Sequence, residues 1–164
     1  MLPVTLRPLT DTDISLVKRW LYTPHVAEWY KHPAHWLHEL ENRRGEFAFL
    51  SHFIAECEGT PIGFCQYYDC FFAQLHEVWN EEWLVCEGQG RVFSIDYLIG
   101  EAACLHKGHG REMVRQLTEM VRHLGAQRVI VEPEKENIAS VRALLANGYI
   151  LMGEDYVKEL ALPG

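Results

Sequence analysis

The segment RVFSIDYLIGEAACLHKGHG, which runs from Arg91 to Gly110, decides the fold. Its first part, Arg91 to Ile99, predicts a β-strand, in which successive side chains point to opposite faces of a sheet. Two glycines near its end, Gly108 and Gly110, are typical of a tight turn that opens a helix. The segment therefore predicts a strand that leads, through a glycine-bearing loop, into the N-terminus of a long helix.

One residue of this predicted strand, Asp96, is a carboxylic acid among mostly apolar neighbours. The alternation places Phe93, Ile95, Tyr97 and Ile99 on one face and Ser94, Asp96 and Leu98 on the other. Burying a carboxylate costs desolvation free energy, so its presence in such a strand calls for a reason. Asp96 is therefore the candidate catalytic residue. The structural alternative is an Asp on an edge strand that faces solvent or pairs with a helix N-terminus.

The rest of the chain continues as one α/β pattern. Downstream of the loop, apolar residues at helical spacing run to Gly125, and a buried-type strand, a helix and two paired strands follow. These are predicted at Arg128–Glu132, from Asn137 to Gly148, at Tyr149–Met152 and at Tyr156–Leu160. Upstream, a strand at Val4–Arg7, helices around Ile14–Leu21, His25–Tyr30 and Trp36–Arg44, and a hairpin of strands at Phe47–Glu56 and Pro61–Tyr68 are predicted. Residues 70–90 form an acidic, aromatic connection.

Length and composition favour a single globular domain over residues 1–164. Hydrophobic residues make up 48% of the chain, which excludes a disordered protein. The formal net charge of −8 disfavours nucleic acid and favours a cationic partner. No apolar stretch has the length of a membrane helix, and the start does not read as a signal peptide, so a cytoplasmic protein is expected. A monomer and a homodimer are both left open.

Metal and redox sites are not expected. The five cysteines form no C-x-x-C pair and are interpreted as reduced, buried thiols. His32, His35 and His38 recur at every third position, which invites a zinc interpretation. However, Pro33 disturbs the helix and no cysteine or carboxylate completes a tetrahedral set, so a solvated face is predicted instead.

The glycine loop has the physical properties of a phosphate cradle. Amide groups at a helix N-terminus, together with roughly half a positive charge from the helix dipole, bind anions. Two common nucleotide motifs are excluded. No G-x-x-x-x-G-K-[ST] is present, and Met113 stands where the third glycine of a dinucleotide fingerprint would fall.

This part of the chain resembles the GNAT superfamily of acyl-CoA-dependent N-acyltransferases. The resemblance lies in the order of its elements: strand, glycine loop, long helix, second strand, Asn137 and Gly148-Tyr149. The resemblance implies a mixed, mostly antiparallel sheet with a splayed parallel strand pair flanked by helices, and acetyl-CoA as cosubstrate without a metal. The motif departs from the family at Leu105, where Gln or Arg is usual. The cosubstrate-binding residues that it implies are Leu98, Ile99, Lys107, Gly108, His109, Gly110, Arg111 and Asn137, with the amide near Leu98 or Ile99 stabilising the oxyanion.

Four separated segments narrow the resemblance to aminoglycoside 6′-N-acetyltransferases. They are WLYTPHVAEWY from Trp20, PIGFCQYY from Pro61, SIDYLIG from Ser94, and Glu132-Pro133. The resemblance implies transfer of an acetyl group to a primary amine of a cationic small molecule, with Asp96 as general base, and it places Trp29, Tyr67 and Glu132 on the substrate side. Charge and stacking add Glu81, Glu82 and Trp83 as substrate-binding candidates.

Three points stay open in the sequence. Many family members carry a Tyr that protonates the departing thiolate seven residues after the Asn, but the residue at that position is Leu144, and Tyr149 is the nearest alternative. The acceptor is also open between an aminoglycoside and a hydroxylysine siderophore precursor, another amino acid, a polyamine or a protein amine. The siderophore acyltransferases carry His at the position of Asp96. A non-catalytic acyl-CoA-binding module is the remaining alternative.

Overall fold

The structure, a computed structural model, describes residues 3–76 and 88–160. Its strands are β1 (Val4–Pro8), β2 (Leu50–Cys57), β3 (Thr60–Asp69), β4 (Val92–Ile99), β5 (Arg128–Val131), β6 (Ile150–Met152) and β7 (Asp155–Glu159). Its helices are α1 (Ile14–Leu21), α2 (Pro24–Ala27), α3 (Pro33–Glu41), α4 (Cys70–Gln74), α5 (His109–His123) and α6 (Ile138–Ala146). None of the helices in these two ranges is both long and apolar enough to cross a membrane.

The strands form one mixed sheet in the order β1-β2-β3-β4-β5-β7-β6. Every neighbouring pair is antiparallel except β4 and β5, which are parallel. That parallel pair is joined by only two register pairs, Val92 with Arg128 and Phe93 with Val129. The predicted sheet with a splayed parallel pair is therefore confirmed.

The two faces of the sheet carry separate apolar layers. On one face, Ile95 and Tyr97 of β4 pack in a cluster with Met113 and Leu117 of α5. On the other face, Leu98 packs in a second cluster with α1 and its neighbours. The alternation predicted for this strand is thus confirmed, and it directs Asp96 and Tyr97 to opposite sides of the sheet.

Several predicted boundaries are wrong, and one helix lies where none is predicted. The strand predicted from Phe47 begins only at Leu50, because Phe47 N bonds to Asn42 O and Leu50 N bonds to Phe47 O, which are turn contacts rather than ladder contacts. Helix α3 begins earlier than predicted, at Pro33, whose fixed φ suits the first helical turn. Helix α4 lies inside the predicted connection and is capped by Asp69, whose Oδ1 accepts a bond of 3.0 Å from Phe71 N.

Gly100, directly after β4, is expected to tolerate no side chain. A Cβ there would lie 2.1 Å from Cδ2 of Trp20, which is buried and is held by a bond of 2.9 Å from its Nε1 to Glu101. We expect Gly100→Ala to lower the free energy of unfolding by about 3 kcal/mol in urea titrations, through overpacking. Gly45→Ala is the matched control, because its Cβ would lie 3.6 Å from the nearest atom. Equal stability of the two variants would contradict this account of the packing.

Candidate active site

The candidate site lies where β4 and β5 diverge, and two cavities meet there. The first, called the carboxylate pocket, has a volume of about 220 Å³ and is lined by Asp96 together with Trp36, Glu132 and Glu134. The second, called the helix pocket, has a volume of about 270 Å³ and extends to the start of α5 at Gly110. Five residues line both cavities: Trp29, Tyr30, Tyr97, Asn137 and Ser140. The diverging strands therefore place a carboxylate beside a channel that leads to a helix N-terminus.

Asp96 is partly buried and faces the carboxylate pocket. Burial raises its pKa to about 6, and a bond of 2.8 Å from Gln66 Nε2 to its Oδ2 opposes part of that rise. A carboxylate with this pKa is ionised at neutral pH, yet it holds a proton more readily than an exposed Asp does. Both properties suit a group that accepts a proton from a substrate.

The backbone of β4 offers peptide groups to the gap. Arg91 O accepts bonds of 2.8 Å from Gln127 N and 3.1 Å from Arg128 N, where β5 begins. Gly100 N, by contrast, donates to Ile62 O on the β3 side at 2.8 Å. Because peptide groups alternate along a strand, the amide of Ile99 faces the gap and that of Leu98 faces β3. Of the two amides predicted for the oxyanion, geometry therefore supports Ile99.

Two side chains contact the carbonyl groups along this same edge of β4. Tyr30 Oη donates to the carbonyl oxygen of Tyr97. His25 Nε2 lies 2.9 Å from the carbonyl oxygen of Ile99. Sequence reasoning did not single out either residue, since both contacts join segments that are distant along the chain.

The start of α5 presents an open set of amide donors. Gly108 is its N-cap, has φ of 81° and provides no side-chain cap. The first amides of a helix have no partner within the helix, so they are available to an anion. Lys107 and Arg111 are exposed on either side, whereas His109 is only 5% exposed.

Asn137 stands at the N-terminus of the other helix beside the gap. Its Oδ1 caps α6 by accepting a bond of 3.3 Å from Ser140 N, and its side chain borders both pockets. The structure thus brings four of the predicted cosubstrate residues around one pocket, namely Leu98, Ile99, Gly110 and Asn137.

The substrate-side predictions divide into three groups. Trp29 lines both pockets, and Glu132 lines the carboxylate pocket. The structure does not bring Tyr67 to either cavity. Its ring packs between Phe53 and Phe93 instead, with centroid distances of 5.7 and 6.0 Å. Glu81, Glu82 and Trp83 lie outside the described residues.

A hydroxyl pair that the sequence did not reveal lies where the two pockets meet. Tyr149 does not substitute for the absent Tyr at Leu144, because its hydroxyl is buried against Thr118 at 2.7 Å and borders neither pocket. The Tyr97 hydroxyl lies 2.6 Å from Ser140 Oγ, and both residues line the two pockets.

The rim of the carboxylate pocket is acidic. A third cavity of about 510 Å³ adjoins it and is lined by four carboxylates and one lysine among the described residues. The carboxylates belong to Glu132, Glu134, Glu136 and Glu154, and the lysine is Lys135. This excess of negative charge favours a cationic ligand.

A comparison with protein families decides the classification. The model of the acetyltransferase (GNAT) domain matches residues 10–155. The chain belongs to the GNAT acetyltransferase family. This acetyltransferase is 27% identical, over 157 residues, to an aminoglycoside N(6′)-acetyltransferase type 1 of Klebsiella pneumoniae and to one of Serratia marcescens, covering 92% of this chain and 75% of each relative.

Solved structures agree with this family. The crystal structure of aminoglycoside acetyltransferase AAC(6′)-Ib in complex with coenzyme A and kanamycin superposes with a TM-score of 0.80 at 26% identity, over 96% of this acetyltransferase and 95% of that chain. The same enzyme in complex with ribostamycin and coenzyme A also gives a TM-score of 0.80, at 25% identity, with 95% and 93% covered. The expected GNAT fold is therefore confirmed over almost the whole chain.

Proposed function

We propose that this acetyltransferase transfers the acetyl group of acetyl-CoA to a primary amine of an aminoglycoside, with Asp96 as the general base. The observation that carries the proposal is the position of Asp96, whose carboxylate lies in an acid-rimmed pocket that opens onto the gap between β4 and β5. Relatives and neighbours that act on aminoglycosides support the class of acceptor.

The helix pocket fits the thioester cosubstrate. Its walls are mostly apolar where Met113 and Ala143 lie, which suits the pantetheine arm, and it ends at the amides that open α5. Those amides and the cations of Lys107 and Arg111 are placed for the diphosphate. In this arrangement the thioester carbonyl comes to the gap, where the Ile99 amide donates to the oxygen that becomes negatively charged.

Asp96 prepares the acceptor. An amine at neutral pH is mostly ammonium and has no lone pair until a proton leaves. Asp96 accepts that proton, the amine nitrogen forms a bond to the thioester carbon, and the carbon–sulfur bond breaks. The second proton that the nitrogen loses as the amide forms passes to solvent. The departing thiolate has a modest pKa, so it leaves without an assigned acid. Trp29 and Glu132 border the space that the cationic acceptor occupies.

The test is a screen of amine acceptors with acetyl-CoA. We expect thiol release and a product that is one acetyl group heavier with kanamycin and ribostamycin. Activity with lysine derivatives alone would overturn the aminoglycoside assignment. Tight binding of CoA without turnover of any amine would overturn the enzymatic one.

The pH dependence of kcat/KM is expected to show the ionisation of Asp96. Since this carboxylate must be deprotonated to act, activity rises as pH passes through about 6 and is lost below it. The measurement is a pH profile with kanamycin at saturating acetyl-CoA. A profile without any ionisation on the acidic side would remove Asp96 as the base.

A further inference from the structure

A row of three polar side chains crosses the sheet behind the carboxylate pocket. The strand register places His52 of β2 opposite Gln66 of β3, and Gln66 opposite Asp96 of β4. Directly opposite residues in antiparallel strands have Cβ atoms about 5 Å apart and share a face. The row therefore connects the pocket carboxylate to a histidine two strands away.

The middle and outer members of this row are buried with unmet hydrogen-bonding capacity. Gln66 is fully buried and His52 is 8% exposed. Gln66 Oε1 and His52 Nε2 are both buried and have no hydrogen-bond partner of normal geometry in the part of the chain that the structure describes. Buried polar atoms without partners are costly, so two of them on adjacent strands point to a shared bond.

The chemistry of the two groups is complementary. Gln66 Nε2 already donates to Asp96 at 2.8 Å, which leaves its oxygen for the opposite side. Burial, followed by the charge of Arg43, lowers the pKa of His52 to about 4, while the interaction with Gln66 opposes that shift. At neutral pH the ring is thus uncharged, and the tautomer with hydrogen on Nε2 supplies the donor that Oε1 lacks.

We propose that His52 is a positioning residue for the general base: its Nε2–H donates to Gln66 Oε1 and thereby holds the Gln66 amide with its NH₂ group toward Asp96. The proposal rests on the role of Asp96 in the proposed function. Without this donor, the Gln66 amide is free to turn over and to place its oxygen against the carboxylate. Two acceptors would then face each other, which favours the protonated, inactive form of Asp96.

Other titratable groups also face Asp96: Lys31, Glu132 and Glu134 line the same pocket, and their charges are present in every variant of His52. Three hydroxyls interact electrostatically with Asp96, namely those of Tyr30, Tyr68 and Tyr97, and burial raises the pKa of each, so they stay neutral. The charge that acts on His52 is that of Arg43, which follows α3.

Three variants of His52 test the proposal. His52→Gln places an amide nitrogen near the position of Nε2, whereas His52→Asn places one near Nδ1, and His52→Leu has no donor. We expect the Leu and Asn variants to lower kcat about tenfold and to raise the pKa seen in the kcat/KM profile by about one unit. The Gln variant is expected to keep wild-type values, and the affinity for CoA is expected to be unchanged in all three.

A second readout is independent of catalysis. Carbon-13 NMR titration of the Asp96 carboxyl group reports its pKa without substrate, and we expect that pKa to rise in the Leu and Asn variants but not in the Gln variant. If wild type acetylates no amine and the titration still shows this pattern, only the proposed function fails. Identical titrations in all variants, or equal behaviour of His52→Gln and His52→Asn, would overturn the role of His52. If the Leu variant does not fold, the comparison of the Gln and Asn variants still decides the question.

Discussion

Asp96→Asn is expected to lower kcat/KM for kanamycin by about 10²- to 10⁴-fold, the range that general base catalysis contributes. The amide keeps the size of the side chain, and its oxygen still accepts from Gln66 Nε2, which donates to the carboxylate at 2.8 Å in the wild type. What it loses is the ability to take a proton from the substrate ammonium group. Initial rates of thiol release at saturating acetyl-CoA measure the effect.

Two measurements, the affinity for CoA and the free energy of unfolding, distinguish this loss of catalysis from damage to the fold. The helix pocket does not include Asp96, so the affinity for CoA is expected to stay unchanged. Burial raises the pKa of Asp96 to about 6, so the wild type loses stability from this group as pH rises through that value. Asp96→Asn is therefore expected to have a free energy of unfolding near pH 8 that exceeds that of wild type by on the order of 1–2 kcal/mol, after allowance for partial exposure, and to show no such gain below about pH 4. Retained activity, or a variant less stable than wild type near pH 8, would contradict the assigned role.

Gly110→Asp is expected to weaken CoA binding by about 10²-fold while leaving α5 at least as stable as before. A Cβ at Gly110 would meet no atom within 4 Å, so the new side chain enters open space in the helix pocket. Its negative charge repels a diphosphate there, yet the same charge is favourable at a helix N-terminus. Calorimetric titration with CoA and thermal unfolding measure the two effects.

Gly110→Asn is the matched control, since it has the same shape without the charge. We expect it to weaken CoA binding by much less than the Asp variant does. Position 108 is a poorer site for this test, because Gly108 has φ of 81° and a side chain there would strain the turn. Equal affinity of the Asp variant and wild type would show that the diphosphate binds elsewhere.

The sequence was sufficient where the structural signal is local. The alternation from Phe93 to Ile99 placed Asp96 and Tyr97 on opposite faces, because a strand's side chains alternate whatever lies beside it. The glycine loop likewise predicted the start of α5, since Gly108 adopts a positive φ that favours glycine. Helix α4 also had a local signal, the Asp69 cap, that the acidic and aromatic composition of the surrounding connection obscured.

The rest of the site depends on pairings between distant segments. Gln66 and Tyr67 are adjacent in the chain, but only the register of β3 with β4 shows that Gln66 lies opposite Asp96 and that Tyr67 lies opposite Ile95. A shift of one residue in the register of β3 would exchange the two faces of that strand. Since the sequence does not show this register, only the family resemblance pointed to Tyr67 as a substrate-side residue. The choice between the amides of Leu98 and Ile99 needed the same information about which edge of β4 pairs with β3.

The most direct measurement is a crystal structure of the Asp96→Asn variant with CoA and kanamycin bound. The account predicts the diphosphate on the amides that open α5, the pantetheine arm between β4 and β5, and an amino group of kanamycin within hydrogen-bond distance of residue 96. A carrier bound away from the start of α5, or an acceptor with no amine near that side chain, would contradict it.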